Sequence, residues 1–487
     1  MDFMGKHDRP LISRGQEKIA YRTLVSALKR QRGGVTLGDM AAKTALPFHQ
    51  LRELLRRAAE EYNARLEVNE SGEILYSFPR GFISRYRGLG PACGRFIERA
   101  LPALGSFFAG VFKIWIVLML LGYFVLFVVI TLAFLFVVIA AASASSRKNR
   151  RSSGGFTGSH AVSRLIQGIF RFWFYSALMD PDRQGPAEDG DKRPLYRKVF
   201  SFVFGEGNPN KDWEKKEALG FIGYLRKKNG LMALPEFVIL TGLDIQRAEQ
   251  KILSYCVNYD GMPEATGGGT VVYRFDSLLA RGEKDTPSAG ENLRVSLKKP
   301  WKFSLNTPKT NGIFGFINLV NLGFSSYFLY FMLNPAAPGA FSSLFRFVYG
   351  LLSTLGPDPL LPIALGLGLV PGLFSLLFWV IPLVRLGRIK KKNAAIGIEN
   401  QRRRGFSAAW DSPLELSEDL VKDPGMARRI IKEIGAYSIP DITVDHRGRT
   451  VYAFPKLAEE KRALEKYRTE IEKTRGDPGA VVFDSDL

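Results

Sequence analysis

The sequence predicts an α-helical membrane protein carrying three α+β winged-helix-like soluble repeats. Three observations carry that expectation: long apolar tracts in an otherwise charged chain, a soluble unit that recurs at a fixed offset, and lysine and arginine massed beside the tracts. With 487 residues the chain exceeds one domain of about 100 to 200 residues. A mean hydropathy near zero alongside 24% charged residues means that the apolar residues are concentrated rather than spread. The net charge of +21 favours anionic partners, with lipid headgroups and nucleic acid both candidates.

From Phe107 to Ala142 the only charge is Lys113. About 20 apolar residues span a hydrocarbon core, so this tract, placed at residues 105–143, is long for one helix and short for two. Arg80, Arg85, Arg87, Arg95 and Arg99 precede it, and Arg147, Lys148, Arg150 and Arg151 follow it. Because such residues gather on cytoplasmic flanks, a hairpin is the favoured reading and a single long span the alternative, although only Gly122 and Tyr123 interrupt the run. Two further spans are expected at residues 311–334 and 359–386. Arg294, Lys298, Lys299, Lys302 and Lys309 precede this pair, Arg385, Arg388, Lys390, Lys391 and Lys392 follow it, and the loop between carries only Arg346. The N-terminus has no apolar signal core, and the expected location is multi-pass in the cell inner (cytoplasmic) membrane, with the soluble parts cytoplasmic.

The soluble parts match one another. Leu37 meets Leu234, Thr44 meets Thr241, Leu46 meets Leu243, Leu55 meets Ile252 and Tyr62 meets Tyr259. Gly72 meets Gly269, Tyr76 meets Tyr273 and Phe78 meets Phe275, all at one offset (273 − 76 = 197). The first copy occupies residues 15–80 and the second lies within 196–280. A more divergent third lies in 392–456, with Ile430, Ile431 and Ile434 as its stripe and GRTVYAFP echoing GEILYSFP. In copy one, Ala20, Leu24 and Leu28 mark a first helix expected over residues 17–32, ended by Gly33 and Gly34. A short helix over residues 37–44 follows, then a third opened by Pro47, then two strands around Asn69-Glu70-Ser71-Gly72. Three helices and a hairpin make the winged-helix arrangement, and the wings end in Tyr76 and Phe78, Tyr273 and Phe275, and Tyr452 and Phe454.

A winged helix that reads DNA places its third helix in the major groove and sets cations on phosphates. The third helices offer His49, Arg52 and Arg56 in copy one, Arg247 and Lys251 in copy two, and Arg428, Arg429 and Lys432 in copy three. Glu53, Glu60, Glu61 and Glu249 lie among them. This is a mixed, solvated face rather than a cationic stripe. The residues therefore mark a candidate partner surface, with protein docking favoured over nucleic acid.

Residues 144–195 form a basic and acidic linker in which the aromatic stretch Val162–Leu178 reads either as an interfacial helix or as a helix packed on the protein core. The peptide VFSFVFGEGNPN follows. Alternation of Phe200, Phe202 and Phe204 predicts a short strand with three rings on one face, and Gly205, Gly207, Asn208 and Pro209 predict a turn. This peptide, followed by a helix and a wing ending in VVYRF, resembles a family of uncharacterised membrane proteins found in bacteria, cyanobacteria and plastids. The resemblance covers about Tyr196 to Phe275, and YSFP and YAFP at the other wing ends add to it. It implies a membrane location and the repeated domain, and it brings no active site. Members have sometimes been labelled as iron–sulfur cluster biosynthesis proteins, but Cys93 and Cys256, the only cysteines, cannot supply the usual four thiolates.

No catalytic set is visible. His7, His49, His160 and His446 are scattered away from metal-ligand partners, so neither a metal nor a cofactor is expected. The glycines of residues 366–372 lie in a span and read as helix packing with a proline break. Asn318 and Asn321, three apart, can bond a neighbouring helix, and Lys113 can snorkel. In the charged helix of residues 457–475, Leu457, Leu464 and Ile471 recur every seven residues, which predicts an exposed helix capping the third copy. The leading expectation is a non-enzymatic, membrane-anchored interaction or scaffold protein whose cytoplasmic repeats dock protein partners, or one another in a homo-oligomer, near anionic headgroups. The alternatives are a membrane-tethered DNA-binding regulator and a small transporter or channel subunit.

Overall fold

The structure is a computed structural model describing residues 14–31, 33–69, 72–79, 89–146, 193–280, 296–417, 424–474 and 481–484, apart from single positions at 336, 338, 355, 357, 445 and 447. The described chain is mostly helical, with small sheets. It begins with α1 (Arg14–Leu28), α2 (Leu37–Thr44), α3 (Phe48–Tyr62), β1 (Arg65–Asn69), β2 (Ile74–Ser77), α4 (Leu89–Ser146) and α5 (Leu195–Phe204). It continues with α6 (Trp213–Lys227), β3 (Leu231–Ala233), α7 (Leu234–Thr241), α8 (Ile245–Tyr259), β4 (Met262–Ala265), β5 (Val271–Arg274), α9 (Pro308–Leu333) and α10 (Ser343–Ser353). It closes with α11 (Leu360–Asp411), β6 (Leu416–Ser417), α12 (Pro424–Tyr437), β7 (Asp441–Val444), β8 (Thr450–Ala453), α13 (Pro455–Thr474) and β9 (Val481–Asp484). Two compact units result. One gathers Met1–Pro91, Asn210–Pro300 and Asn393–Leu487, and the other gathers Ala92–Pro209 and Trp301–Lys392.

In the first unit, α1 to β2 form module one and α6 to β5 form module two. From the second helix on, their elements coincide at the offset read from the sequence: α3 runs Phe48–Tyr62 and α8 runs Ile245–Tyr259 (245 − 48 = 197). Strand registers coincide too. Arg65 pairs with Ser77 as Met262 pairs with Arg274, and Val35 bridges Tyr76 as Met232 pairs with Tyr273. Local chemistry explains the shared turn after the second helix. The Thr44 hydroxyl donates to the Met40 carbonyl at 2.6 Å and accepts from the Leu46 N–H, while Thr241 does the same with Phe237 and Leu243. The chain then leaves through a left-handed residue, Ala45 at φ 62° or Gly242 at φ 69°.

Module three comprises the part of α11 beyond Asn393 together with β6, α12, β7 and β8. Its sheet order, β6-β8-β7, repeats the β3-β5-β4 order of module two. In module one the sheet instead adds β9, giving β2-β1-β9. One apolar core runs through all three modules and includes Phe48, Phe221, Phe237, Phe275, Phe406 and Phe454. The aromatics expected at the wing ends belong to this core: Tyr273, Phe275 and Phe454 are buried, and Tyr76, Phe78 and Tyr452 are partly buried. The seven-residue stripe of α13 is not exposed as the sequence predicted. Leu457 and Leu464 are fully buried in this core, because the stripe packs on a partner far away in sequence.

Among the described residues, three helices are long and apolar enough to cross a membrane: Gly105–Ser143 within α4, α9, and α11. The favoured hairpin is not found. α4 is one continuous helix of 58 residues, and neither Gly122 nor Tyr123 takes a positive φ. A helix satisfies its own backbone polar groups without neighbours, so a run lacking a strong turn signal stays helical. α11 likewise shows no proline break. Pro362 and Pro371 flank a wide π-helical stretch, Ile363–Leu369, which carries the helix on. The Pro- and Gly-containing loop between α9 and α11 holds a helix the sequence reading missed, α10, whose Phe345 and Val348 are buried against the cluster around Phe331. The Asn pair does bond other helices: Asn318 Nδ2 donates to the Ser375 carbonyl of α11 at 3.0 Å, and Asn321 Nδ2 to the Leu120 carbonyl of α4 at 2.8 Å. The stretch Val162–Leu178 lies outside the described residues.

Candidate functional site

Apart from the half-buried Lys251, the third-helix cations are exposed, and most face acids. Arg52 of α3 meets Asp260, the left-handed cap of α8, at 2.5 Å. Arg56 sits between Glu53 and Glu60 on its own helix, Arg247 pairs with Asp244, and Arg429 with Glu433. Lys251 is ion-paired with the buried Glu217 of α6. His49, Arg428 and Lys432 are exposed. The face is thus charge-compensated by its own chain, and α3 and α8 also meet each other. The Phe48 and Tyr259 rings lie edge to face at 5.7 Å, and the Tyr259 hydroxyl donates to the Ala45 carbonyl at 3.2 Å.

Beside this contact, Ile19, Pro47, Glu217, Lys251 and Tyr255 line a cleft of about 650 Å3. Its buried carboxylate is already engaged: Glu217 also accepts from Trp213 Nε1 at 3.1 Å and from the Tyr255 hydroxyl at 3.4 Å. Burial, followed by Glu217, pushes the Tyr255 phenol far above its ordinary value. Through these contacts Glu217 ties α6 to Lys251 and Tyr255 of α8. Burial likewise raises the Cys256 thiol to about 11, the opposite of a reactive or cluster-binding thiolate.

The charges that sequence reading missed lie between modules. Asp39 opens α2 by accepting from the Thr36 N–H, and its other oxygen takes Arg226 Nη2 from α6 at 2.9 Å. Glu236 opens α7 by accepting from the Ala233 N–H, and takes Arg468 Nη2 from α13 at 2.8 Å. Both carboxylates are 1% exposed. The last carbonyls of α7 are held by α11. Arg403 donates to Leu240 and Thr241, Arg402 donates to Gly242 at 2.8 Å, and Arg402 forks onto Glu433 of α12. Cations at a helix C-terminus satisfy orphan carbonyls and the helix dipole together. Arg403 is fully buried, stacks 4.9 Å from the Trp213 ring, and is held below its ordinary value by burial.

The VFSFVFGEGNPN peptide is a helix, α5, and not the strand the alternation predicted. Five residues at period two are too short a signal to exclude a helix. In the helix, Phe200 and Phe204 share one face at 4.9 Å, with Lys113 Nζ 4.7 Å from the Phe200 ring. Phe202 points the other way, onto Phe303 and Phe378. The expected turn is present, with Gly205 at φ 79° and Gly207 at φ 84° leading to Asn208 and Pro209. Arg385 of α11 ends α5 by donating to the carbonyls of Ser201, Phe202 and Phe303. Gly205 has φ 79°, which favours glycine, and a Cβ there would push on the Arg385 guanidinium 2.7 Å away. The motif is a docking joint of the second unit.

No family model matches the chain, and no solved structure matches it. It is 25% identical over 416 residues to a protein of Arabidopsis thaliana described as an uncharacterised chloroplastic protein; the match covers 82% of this chain and 74% of the plant protein. That description gives the relative a plastid location and no activity.

Proposed function

We propose that the chain is a membrane-anchored, non-enzymatic interaction protein. Its three helical modules are winged-helix repeats that pack as one cytoplasmic-side body and dock protein partners beside an anionic membrane face. The observation that carries this reading is the fate of the third-helix cations of the first two modules, Arg52, Arg56, Arg247 and Lys251, which pair with the chain's own carboxylates instead of forming a phosphate-binding stripe. Support for protein docking comes from wing one, whose outer edge takes an added strand, β9, with Val68 opposite Phe483. Strand addition is a general mode of peptide recognition. The basic residues flanking the spans suit the anionic lipid side. The test is recovery of the full chain from detergent extracts. A discrete partner or a defined self-assembly is expected, and monomer alone, with no partner, sinks the proposal.

A DNA-binding reading keeps one specific support, since Arg428, Arg429 and Lys432 are all exposed on α12. Duplex DNA titrated against the full chain at low and high salt separates the two readings. Binding that weakens steeply with salt favours DNA, and no binding at low salt removes it.

A further inference from the structure

The seam between α9 and α11 in the second unit is tight at both ends. A Cβ on Gly315 would lie 3.2 Å from Trp379, one on Gly372 would lie 3.5 Å from Ser325, and one on Gly368 would lie 2.7 Å from Leu329. These contacts run in opposite sequence directions, so the two helices are antiparallel and close-packed through small residues. Between the tight points lie Asn318, Asn321, Ser325 and Ser375, each with no exposure at all.

Both asparagine amides have a fixed sense. Asn318 donates to the Ser375 carbonyl and Asn321 to the Leu120 carbonyl, so each Oδ1 is left as an acceptor, and neither has a partner. The Ser375 hydroxyl also lacks a partner, whereas Ser325 spends its hydrogen on the Asn321 carbonyl at 2.8 Å. Asn318 and Asn321, three apart on a helix, have Cβ atoms about 5–6 Å apart. Ser375 is joined to Asn318 by its own carbonyl. Orphan polar atoms in such surroundings are costly, and these three belong to neighbouring residues of α9 and to Ser375 of α11, joined by the Asn318–Ser375 bond.

We infer that this seam is a binding site for one water molecule, held by Asn318 Oδ1, Asn321 Oδ1 and Ser375 Oγ. The count fits: water donates twice, to the two amide oxygens, and accepts once, from the serine hydroxyl. A bare cation fits worse. Three neutral oxygens fall short of the six or more that hard divalent cations take, and the three apolar spans contain no Asp or Glu to balance a charge up to Lys392. The water completes a three-helix polar junction that fixes the register of α4, α9 and α11, whatever the soluble modules bind.

Infrared difference spectra of the full chain in lipid, exchanged from ordinary water into H218O, test it. The expected result is an isotope-shifted O–H band of a non-exchange-broadened water, lost in Asn318→Leu/Asn321→Leu and moved in frequency in the milder Ser375→Ala. A band unchanged in Ser375→Ala, or no such band in the parent chain, overturns the inference. Melting temperatures in equal concentrations of sodium, potassium and choline chloride supply the other arm. Equal values are expected, and a rise specific to one alkali cation overturns water in favour of that ion.

Discussion

Asp39 in module one and Glu236 in module two stand at equivalent places 197 positions apart, and each opens its helix by accepting the same backbone N–H. The arginine that neutralises each comes from elsewhere: Arg226 from module two in the first case, Arg468 from the C-terminal helix in the second. Local sequence therefore gives Asp39 and Glu236 the same capping role, and long-range charges decide what each helix start packs against. Caps differ in the same way. Thr36 adds a side-chain bond to the Asp39 N–H, which Ala233 cannot match. Gly242 sits under the Glu399 carbonyl and Arg403, whereas its equivalent Ala45 tolerates a side chain at nearly the same φ.

The largest way to break the comparison is to strand a carboxylate. Arg468→Leu leaves Glu236 buried and should cost about 3–5 kcal/mol in thermal or denaturant unfolding of the purified chain. Arg226→Leu should cost less, because its side chain retains 11% exposure against 5% for Arg468, and water can reach Asp39 more easily. Next come two substitutions of opposite sign. Gly242→Ala forces a Cβ to within 2.7 Å of the Glu399 carbonyl and should cost about 1–3 kcal/mol, while Ala45→Gly relieves a left-handed alanine and should gain up to about 1 kcal/mol. Equal signs in the melting temperatures would break the proposed equivalence. Thr36→Ala should then cost about 1 kcal/mol as a lost N-cap.

The smallest effect concerns the contact between α12 and α13. Burial raises Glu460, although the Tyr437 hydroxyl bonds its carboxylate. A raised folded-state value means that the contribution to stability is fully present below the unfolded value of 4.5 and is lost as pH rises through the folded one. Glu460→Gln should therefore flatten the decline in melting temperature across that window and change little below it.

The helix over Phe48–Tyr62, its counterpart over Ile245–Tyr259 and the turns at Thr44 and Thr241 were legible because they rest on local signals: the threonines, the glycines and apolar spacing. The apolar tracts were legible by length. The hairpin reading of α4 failed because flanking charge reports preferred sidedness and carries no information on helix continuity. The strand reading of α5 failed because Phe200, Phe202 and Phe204 fit either period. Arg226, Arg402, Arg403 and Arg468 were missed because each meets its carboxylate or carbonyl across a long stretch of chain, where no spacing rule reaches. Arg385 was read only as a flanking charge, although it closes the α5 motif 184 residues away from Ser201.

Cysteine accessibility tests the central claim most directly. In a chain with Cys93 and Cys256 replaced, single cysteines at Lys29, Gly267, Lys466 and Phe341 are labelled from each side of sealed vesicles with a membrane-impermeant thiol reagent. Because the three modules share one core, the account predicts that Lys29, Gly267 and Lys466 label from the same side and Phe341, in the loop between α9 and α11, from the other. Modules one and two labelling from opposite sides, or Phe341 labelling together with the modules, would contradict it.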